Sequence, residues 1–125
     1  MDDIKEQLQI IIDQEVIKLR SGADKLAKKH ANALVRRIKN DAPVKIGKYK
    51  KSWKSEKTYE NAESVEYTVR AVKHFRLSHL LEHGHGYIGK DGQRKFVKGI
   101  PHINNNAKAE MDAYLKEVEE LADGG

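Results

Sequence analysis

The sequence HLLEH at residues 79–83 matches the H-x-x-E-H pattern, in which two histidines bind zinc and a glutamate acts as general base. On a helix, His79 and His83 lie one turn apart on the same face, so both imidazoles could reach one ion. A hydrolytic site also needs a third ligand, an open coordination position and a cleft, and Gly84 follows the motif at once. The motif therefore leaves a metal hydrolase, with Glu82 as its base, as one alternative.

Two further metal arrangements can be drawn from the histidines. His83, His85 and His102 flank a glycine-rich stretch and could form a site of imidazoles alone, although their spacing fixes no geometry. The segment PHINNN at residues 101–106 supplies the His and Asn of a ββα-type nuclease, but no recognisable hairpin with a general base precedes it. The chain has no phosphate-binding glycine motif, no nucleophile elbow and no cysteine. We therefore predict neither an enzyme nor a cofactor.

A run of lysines with interleaved aromatic residues suggests contact with nucleic acid. The run contains Lys45, Lys48, Lys50, Lys51, Lys54 and Lys57, with Tyr49, Trp53 and Tyr59 between and after them. Such a surface can follow phosphates and stack bases. Strand alternation would instead turn Trp53 inward and leave the lysines in solvent. A nucleic-acid-binding protein that uses Lys45–Lys57 is thus the second alternative.

The length and composition favour a soluble protein with one domain, residues 1–125. The absence of cysteine predicts a reducing compartment and excludes thiolate metal sites. The first residues are acidic, unlike those of a signal peptide, and no apolar run approaches the roughly 20 residues of a membrane span. We therefore expect no membrane partner.

The net charge of +5 conceals a segregation of charge along the chain. Residues 1–24 carry three bases and six acids, residues 25–60 carry twelve bases and three acids, and residues 107–125 carry two bases and six acids. The basic middle could contact nucleic-acid phosphates, or it could meet the acidic ends of a neighbouring copy.

The elements that must position these residues begin with a long helix. Apolar residues recur every three or four positions from Ile4 to Ile38, and this spacing predicts one amphipathic helix over residues 1–42. Pro43 disfavours helical geometry at the residue before it, so we expect the helix to end near Asp41.

The rest of the chain predicts an α+β fold. Residues 43–75 alternate on both sides of the turn NAES, which predicts an antiparallel β-hairpin packed on the long helix through Trp53. Residues 76–103 predict a short middle helix, which Leu80 and Leu81 anchor in the core, and a glycine-rich second hairpin or flexible loop. Residues 104–122 predict a C-terminal helix.

In their order and spacing, the segments GKYKKS, LSHLLEHGH and GIPHINNNA resemble the family of small tail-component proteins of long-tailed bacteriophages and prophages. These proteins are also described as head-tail joining, tail completion or neck proteins. The positions that match the family pattern are Gly47, Ser52, Leu80, Leu81, Glu82, Gly84, Pro101, His102 and Ala107.

The resemblance implies a structural virion protein without catalysis. It implies a ring of copies, commonly six-fold, between the connector and the tail, assembled in the cytoplasm of the bacterial host. In that setting the basic middle and the acidic last helix would meet between adjacent subunits, and a basic lumen could touch passing DNA through Lys48, Lys50, Lys51 and Lys54.

The resemblance also suggests a role for the glycine-rich stretch after HLLEH. Glu82 and Gly84 would fix a tight turn, and the following loop would project as a contact arm that orders when a partner docks. The candidate docking residues are Tyr87, Lys90, Arg94, Lys95, Phe96 and Lys98.

Overall fold

A computed structural model describes residues 9–12, 16–43, 47–72 and 75–124, which form six strands and four helices. In chain order they are β1 (Gln9–Ile12), β2 (Val16–Ser21), α1 (Asp24–Asp41), α2 (Gly47–Ser52), β3 (Trp53–Glu60), β4 (Val65–Ala71), α3 (Phe75–His83), β5 (Gly84–Ile88), β6 (Arg94–Lys98) and α4 (Asn104–Gly124). None of the described helices is long and apolar enough to cross a membrane.

The main sheet is antiparallel, with the strand order β1-β2-β4-β3. Trp53 pairs with Ala71 at one end of the β3–β4 ladder, and Glu60 pairs with Val65 at the other. We call these the Trp53 end and the Glu60 end of the sheet. β2 ends beside Val65, so α1 starts at the Glu60 end and runs back towards the Trp53 end.

The core lies between one face of this sheet and α1. Strand residues in it are Ile17, Leu19, Trp53, Val65, Tyr67, Val69 and Ala71, and α1 contributes Ala27, Ala31, Leu34 and Ile38. α4 packs beside α1, and the start of α4 adds Ile103 and Ala107 to the same core. The fold is therefore a helical layer on a four-stranded sheet, and the predicted α+β class is confirmed.

The predicted helix over residues 1–42 is wrong in its first half. Val16–Ser21 forms a strand in which Ile17, Leu19 and Ser21 are buried and the residues between them are half-exposed. Gln9–Ile12 pairs with it as a further strand, and residues 1–8 of the predicted helix lie outside the described residues. The β-branched composition of these two segments favours extended backbone, and their pairing with β4 settles the conformation. The predicted helix end at Asp41 is confirmed.

Most of the later elements agree with the sequence prediction. The β3–β4 hairpin, the short middle helix α3, the second hairpin β5–β6 and the C-terminal helix α4 are all present. The short helix α2 was not predicted, because GKYKKS looked like part of a loop. The register of β3 shifts between Lys57 and Tyr59, and the ring of Tyr59 lies 5.2 Å from the Arg20 guanidinium. The assignment of residues 1–125 to one domain stays a prediction.

Candidate functional site

The carboxylate of Glu82 caps the start of α4. Its Oε1 accepts hydrogen bonds from the backbone N–H groups of His102 at 2.7 Å and Ile103 at 2.9 Å, and its Oε2 accepts one from Asn104 at 2.9 Å. The first N–H groups of a helix have no partner within the helix, and the helix dipole favours a negative charge there. Glu82 thus performs, from the last turn of α3, the role that an N-cap side chain normally has.

These contacts stabilise the ionised form of Glu82. Burial alone would raise the pKa of this carboxyl group, but hydrogen bonds from the His102 side chain and from the backbone of residues 102, 104 and 103 outweigh it. The pKa falls from the ordinary value of 4.5 to about 2. The carboxylate is therefore charged at neutral pH and fully engaged with the backbone.

The imidazole of His102 connects α2 to the start of α4. Its Nδ1 proton is shared between the carbonyl oxygen of Ile100 at 2.6 Å, which can only accept, and Glu82 Oε1 at 3.2 Å. Its Nε2 lies 2.7 Å from the hydroxyl of Tyr49, which is fully buried. Ser52 Oγ donates to the Tyr49 carbonyl at 2.6 Å, closing the turn that leads into β3. Burial raises the pKa of Tyr49, so its phenol stays protonated.

Two glycines permit close backbone contact where the second hairpin leaves the core. Gly84 has a φ of 84°, and a Cβ there would collide with the carbonyl oxygen of Val97. A Cβ on Gly99 would collide with the carbonyl oxygen of Glu82. Pro101 has no N–H group, so the series of donors to Glu82 begins at His102. These residues fix the base of the hairpin against the start of α4.

The family-pattern positions are therefore mostly brought together around the start of α4. Gly47 begins α2, Ser52 ends it, and Ala107 is fully buried in the first turn of α4. Leu81 is half-buried against the core, but the prediction that Leu80 packs inward is wrong, since 38% of its surface is exposed. The buried face of α3 contains Ser78 and Glu82 instead, four positions apart.

The arrangement gives little support to the metal hydrolase. The rings of His79 and His83 do lie close together, with centroids 5.0 Å apart. However, the Glu82 carboxylate is hydrogen-bonded to the start of α4, and both ring nitrogens of His102 already have hydrogen-bond partners within the fold. No group of three or more histidines and acids within the described residues could hold a metal ion.

Residues 84–98, which we call the arm, form the two-stranded sheet β5–β6. Every residue of β6 is exposed, as are Gly86, Tyr87 and Ile88 in β5. The exposed fractions of Ile88 and Phe96 are 72% and 67%. The arm is thus formed in the single chain. Its conformation can be explained without the expectation that it becomes ordered only when a partner docks. All six candidate docking residues lie on it, at Tyr87, Lys90, Arg94, Lys95, Phe96 and Lys98.

The arm carries a shallow open cavity of about 220 Å³. Its lining consists of Gly86, Tyr87, Ile88, Arg94 and Lys95. Lys95 Nζ lies 3.6 Å from Asp91 Oδ2, whereas Arg94 has no ion pair within the described part of the chain. The cavity thus joins apolar walls to an unpaired guanidinium.

Four lysines of the basic run lie at the Trp53 end of the sheet, whereas Lys57 lies nearer the Glu60 end and Lys45 is outside the described residues. Lys48, Lys51 and Lys54 are exposed and Lys50 is half-exposed, and none of the four forms an ion pair with another described residue. The aromatic residues between them are not available for base stacking, because Tyr49 and Trp53 are fully buried. This surface can contact phosphates but cannot stack bases through those two rings.

One buried cluster was missed by the sequence analysis. His30 on α1 contacts Glu110 through Nδ1 and Glu117 through Nε2, the latter at 2.7 Å. Arg37 Nε donates to Glu110 at 2.9 Å, and Lys29 Nζ donates to Glu117 at 2.8 Å and lowers the pKa of that carboxyl group. A carboxylate only accepts, so an imidazole nitrogen that faces one must donate to it. Two acids of the last helix thus meet bases of the same chain, not of a neighbour.

A family model described as "Bacteriophage HK97-gp10, putative tail-component" matches residues 2–84 of this chain. The match covers the elements from β1 to α3, including Glu82, and ends at Gly84, the first residue of β5. No curated protein and no solved structure matches the chain.

Proposed function

The chain belongs to the HK97-gp10-like family of bacteriophage tail components, and from that premise we propose that it joins heads to tails or completes the tail during virion assembly. The proposal places it in the virion, after assembly in the cytoplasm of the bacterial host, with connector and tail proteins as its neighbours. It includes no catalytic step.

The observation that carries this proposal is the structural role of Glu82 in the HLLEH motif. Glu82 is the residue that a hydrolase would need as its base, and its two oxygens accept three backbone hydrogen bonds at the start of α4. The same contact sets the base of an arm that exposes Tyr87, Ile88, Phe96 and Val97. Large exposed apolar groups next to cations are typical of a protein-protein contact site.

We further propose that copies of the chain assemble as a ring, with the arm as a contact element. A heterologous contact between identical subunits closes into a ring when the rotation permits it. Glu110 and Glu117 are already bound to His30, Arg37 and Lys29, so a contact between the last helix and the basic middle of a neighbour would use the other acids of that helix.

Deleting the gene from its phage tests the proposed role. We expect infected cells to accumulate DNA-filled heads and separate tails, because the component that connects them is missing, and negative-stain electron microscopy of lysates would count both. Supplying the wild-type gene in trans should restore joined particles. Normal, infectious particles from the deleted phage would contradict the proposal.

A second function is favoured by the four unpaired lysines at the Trp53 end. Lys48, Lys50, Lys51 and Lys54 could contact the phosphates of passing DNA without reading sequence. The Lys50→Glu/Lys51→Glu variant should then lose most of its salt-dependent retention of duplex DNA, measured by filter binding, while Lys25→Glu/Lys28→Glu on α1 retains it. Equal retention by both variants would rule this function out.

A further inference from the structure

Unpaired charges of opposite sign lie at opposite ends of the sheet. The lysines of α2 and early β3 lie at the Trp53 end, and the arm leaves the core at the same end, next to α2 and the start of α4. The β3–β4 turn lies at the Glu60 end. The seven residues of β4 separate the two ends by about 20 Å at roughly 3.3 Å per residue.

The β3–β4 turn at the Glu60 end has a fixed backbone and presents the acidic side chain of Glu63. Asn61 Oδ1 accepts the N–H groups of Glu63 at 2.8 Å and Ser64 at 2.7 Å, which holds the turn. The carboxylate of Glu63 is exposed and forms no ion pair within the described residues.

The basic side chains of the strands near this turn already have partners. Lys57 bridges Asp24 and Glu60, each at 3.1 Å. The Arg20 guanidinium lies over the ring of Tyr59. Lys25 and Lys28 are exposed, but they project from the first turns of α1, in the helical layer. The strand turn itself therefore keeps a net negative surface.

The arm has the complementary chemistry. It carries Lys90, Arg94, Lys95 and Lys98 against the single acid Asp91. A two-stranded hairpin with both faces in water gains little from burial, and this one keeps Tyr87, Ile88, Phe96 and Val97 exposed. Its cavity has apolar walls from Tyr87 and Ile88 and cations from Arg94 and Lys95. A glutamate side chain fits this description, because its stem is aliphatic and its head is anionic.

We propose that the arm of one copy binds the β3–β4 turn of the next copy, with the Glu63 carboxylate entering the cavity beside Arg94. The base of the arm and the β3–β4 turn lie at opposite ends of the sheet, so each copy offers both halves of the contact to different neighbours. Such a head-to-tail contact repeats until it closes. The inference rests on the proposed structural role and names the partner of the arm within it.

A charge exchange across this contact tests the proposal with the full-length chain. Arg94→Glu and Glu63→Arg alter exposed side chains, so both variants should keep the circular dichroism spectrum and melting temperature of the wild type. Each alone should weaken self-association by about tenfold, measured by sedimentation velocity at low salt, because like charges then meet across the contact. Lys116→Glu, at an exposed position of α4, is the matched control and should associate as the wild type does.

An equimolar mixture of the two variants should recover association, because the altered arm of one fits the altered turn of the other. A wild-type chain that stays monomeric, single variants that associate normally, or a mixture that fails to recover would each overturn the proposal. It is equally overturned if Arg94→Glu abolishes duplex DNA retention and leaves association unchanged, since the arm then binds nucleic acid. Unjoined heads and tails from the deleted phage, with no copy-to-copy contact, would leave the proposed joining role intact and remove the ring together with this inference.

Discussion

Replacing Glu82 by glutamine is expected to lower the free energy of unfolding at neutral pH by about 3 kcal/mol. The single glutamine oxygen can accept hydrogen bonds from some of the three backbone N–H groups at the start of α4. The NH₂ group that replaces the second oxygen is itself a donor, so it cannot accept a hydrogen bond from the N–H group that it faces. The loss of charge also removes the favourable interaction with the helix dipole. Urea denaturation followed by circular dichroism measures the difference directly.

The pH dependence separates this role from simple packing. The folded-state pKa of Glu82, about 2, lies below the ordinary value of 4.5, so the stabilisation is fully present above pH 4.5 and is lost as the pH falls towards 2. The difference between wild type and Glu82→Gln should shrink across that window. Glu63→Gln, at an exposed turn position, should stay within about 0.5 kcal/mol of the wild type. A Glu82→Gln penalty that does not change with pH would contradict the capping role.

Replacing Glu110 by alanine is expected to cost about 3–5 kcal/mol, because it leaves the polar ring of His30 buried with one of its two acidic partners missing. Glu110 is 2% exposed and His30 is 4% exposed, so water cannot replace the lost partner. Arg37 loses its bond to Glu110 in the same substitution. Thermal and urea denaturation of the variant measure the loss.

The neighbouring Lys29–Glu117 pair provides the control for this prediction. Its distance is 2.8 Å, but the Lys29 side chain is 62% exposed, so Lys29→Ala should cost less than about 1 kcal/mol. Similar penalties for Glu110→Ala and Lys29→Ala would show that burial does not strengthen the cluster. The conclusion that the buried His30–Glu110 contact stabilises the packing of α1 against α4 would then be wrong.

The elements that could be predicted from sequence are those with unambiguous local signals. Alternation around the Asn61 turn identified the β3–β4 hairpin, and Pro43 fixed the end of α1. The first strands were missed because Val16 and Leu19 fit a helical spacing of three as well as a strand whose inner face is Ile17 and Leu19. Pairing with β4 decides between the two, and no local pattern contains that pairing.

The site was located from its sequence, but its role could not be predicted. HLLEH drew attention to Glu82, yet the donors that define its role are 20 to 22 positions further along the chain. The partners His30 and Glu110 are 80 positions apart. A histidine within the apolar stripe of α1 was a signal of a buried polar contact, but its spacing within the helix does not identify a partner on α4.

The central claim is that the carboxylate of Glu82 serves the start of α4 and is not available as a base. An NMR titration of its carboxyl carbon tests this most directly, with the backbone amide signals of His102, Ile103 and Asn104 followed in the same samples. We predict that the carboxyl group stays ionised until the pH approaches about 2 or the chain unfolds, and that the three amide signals move only with it. A midpoint near the ordinary value of 4.5, with the three amide signals unmoved, would contradict the account.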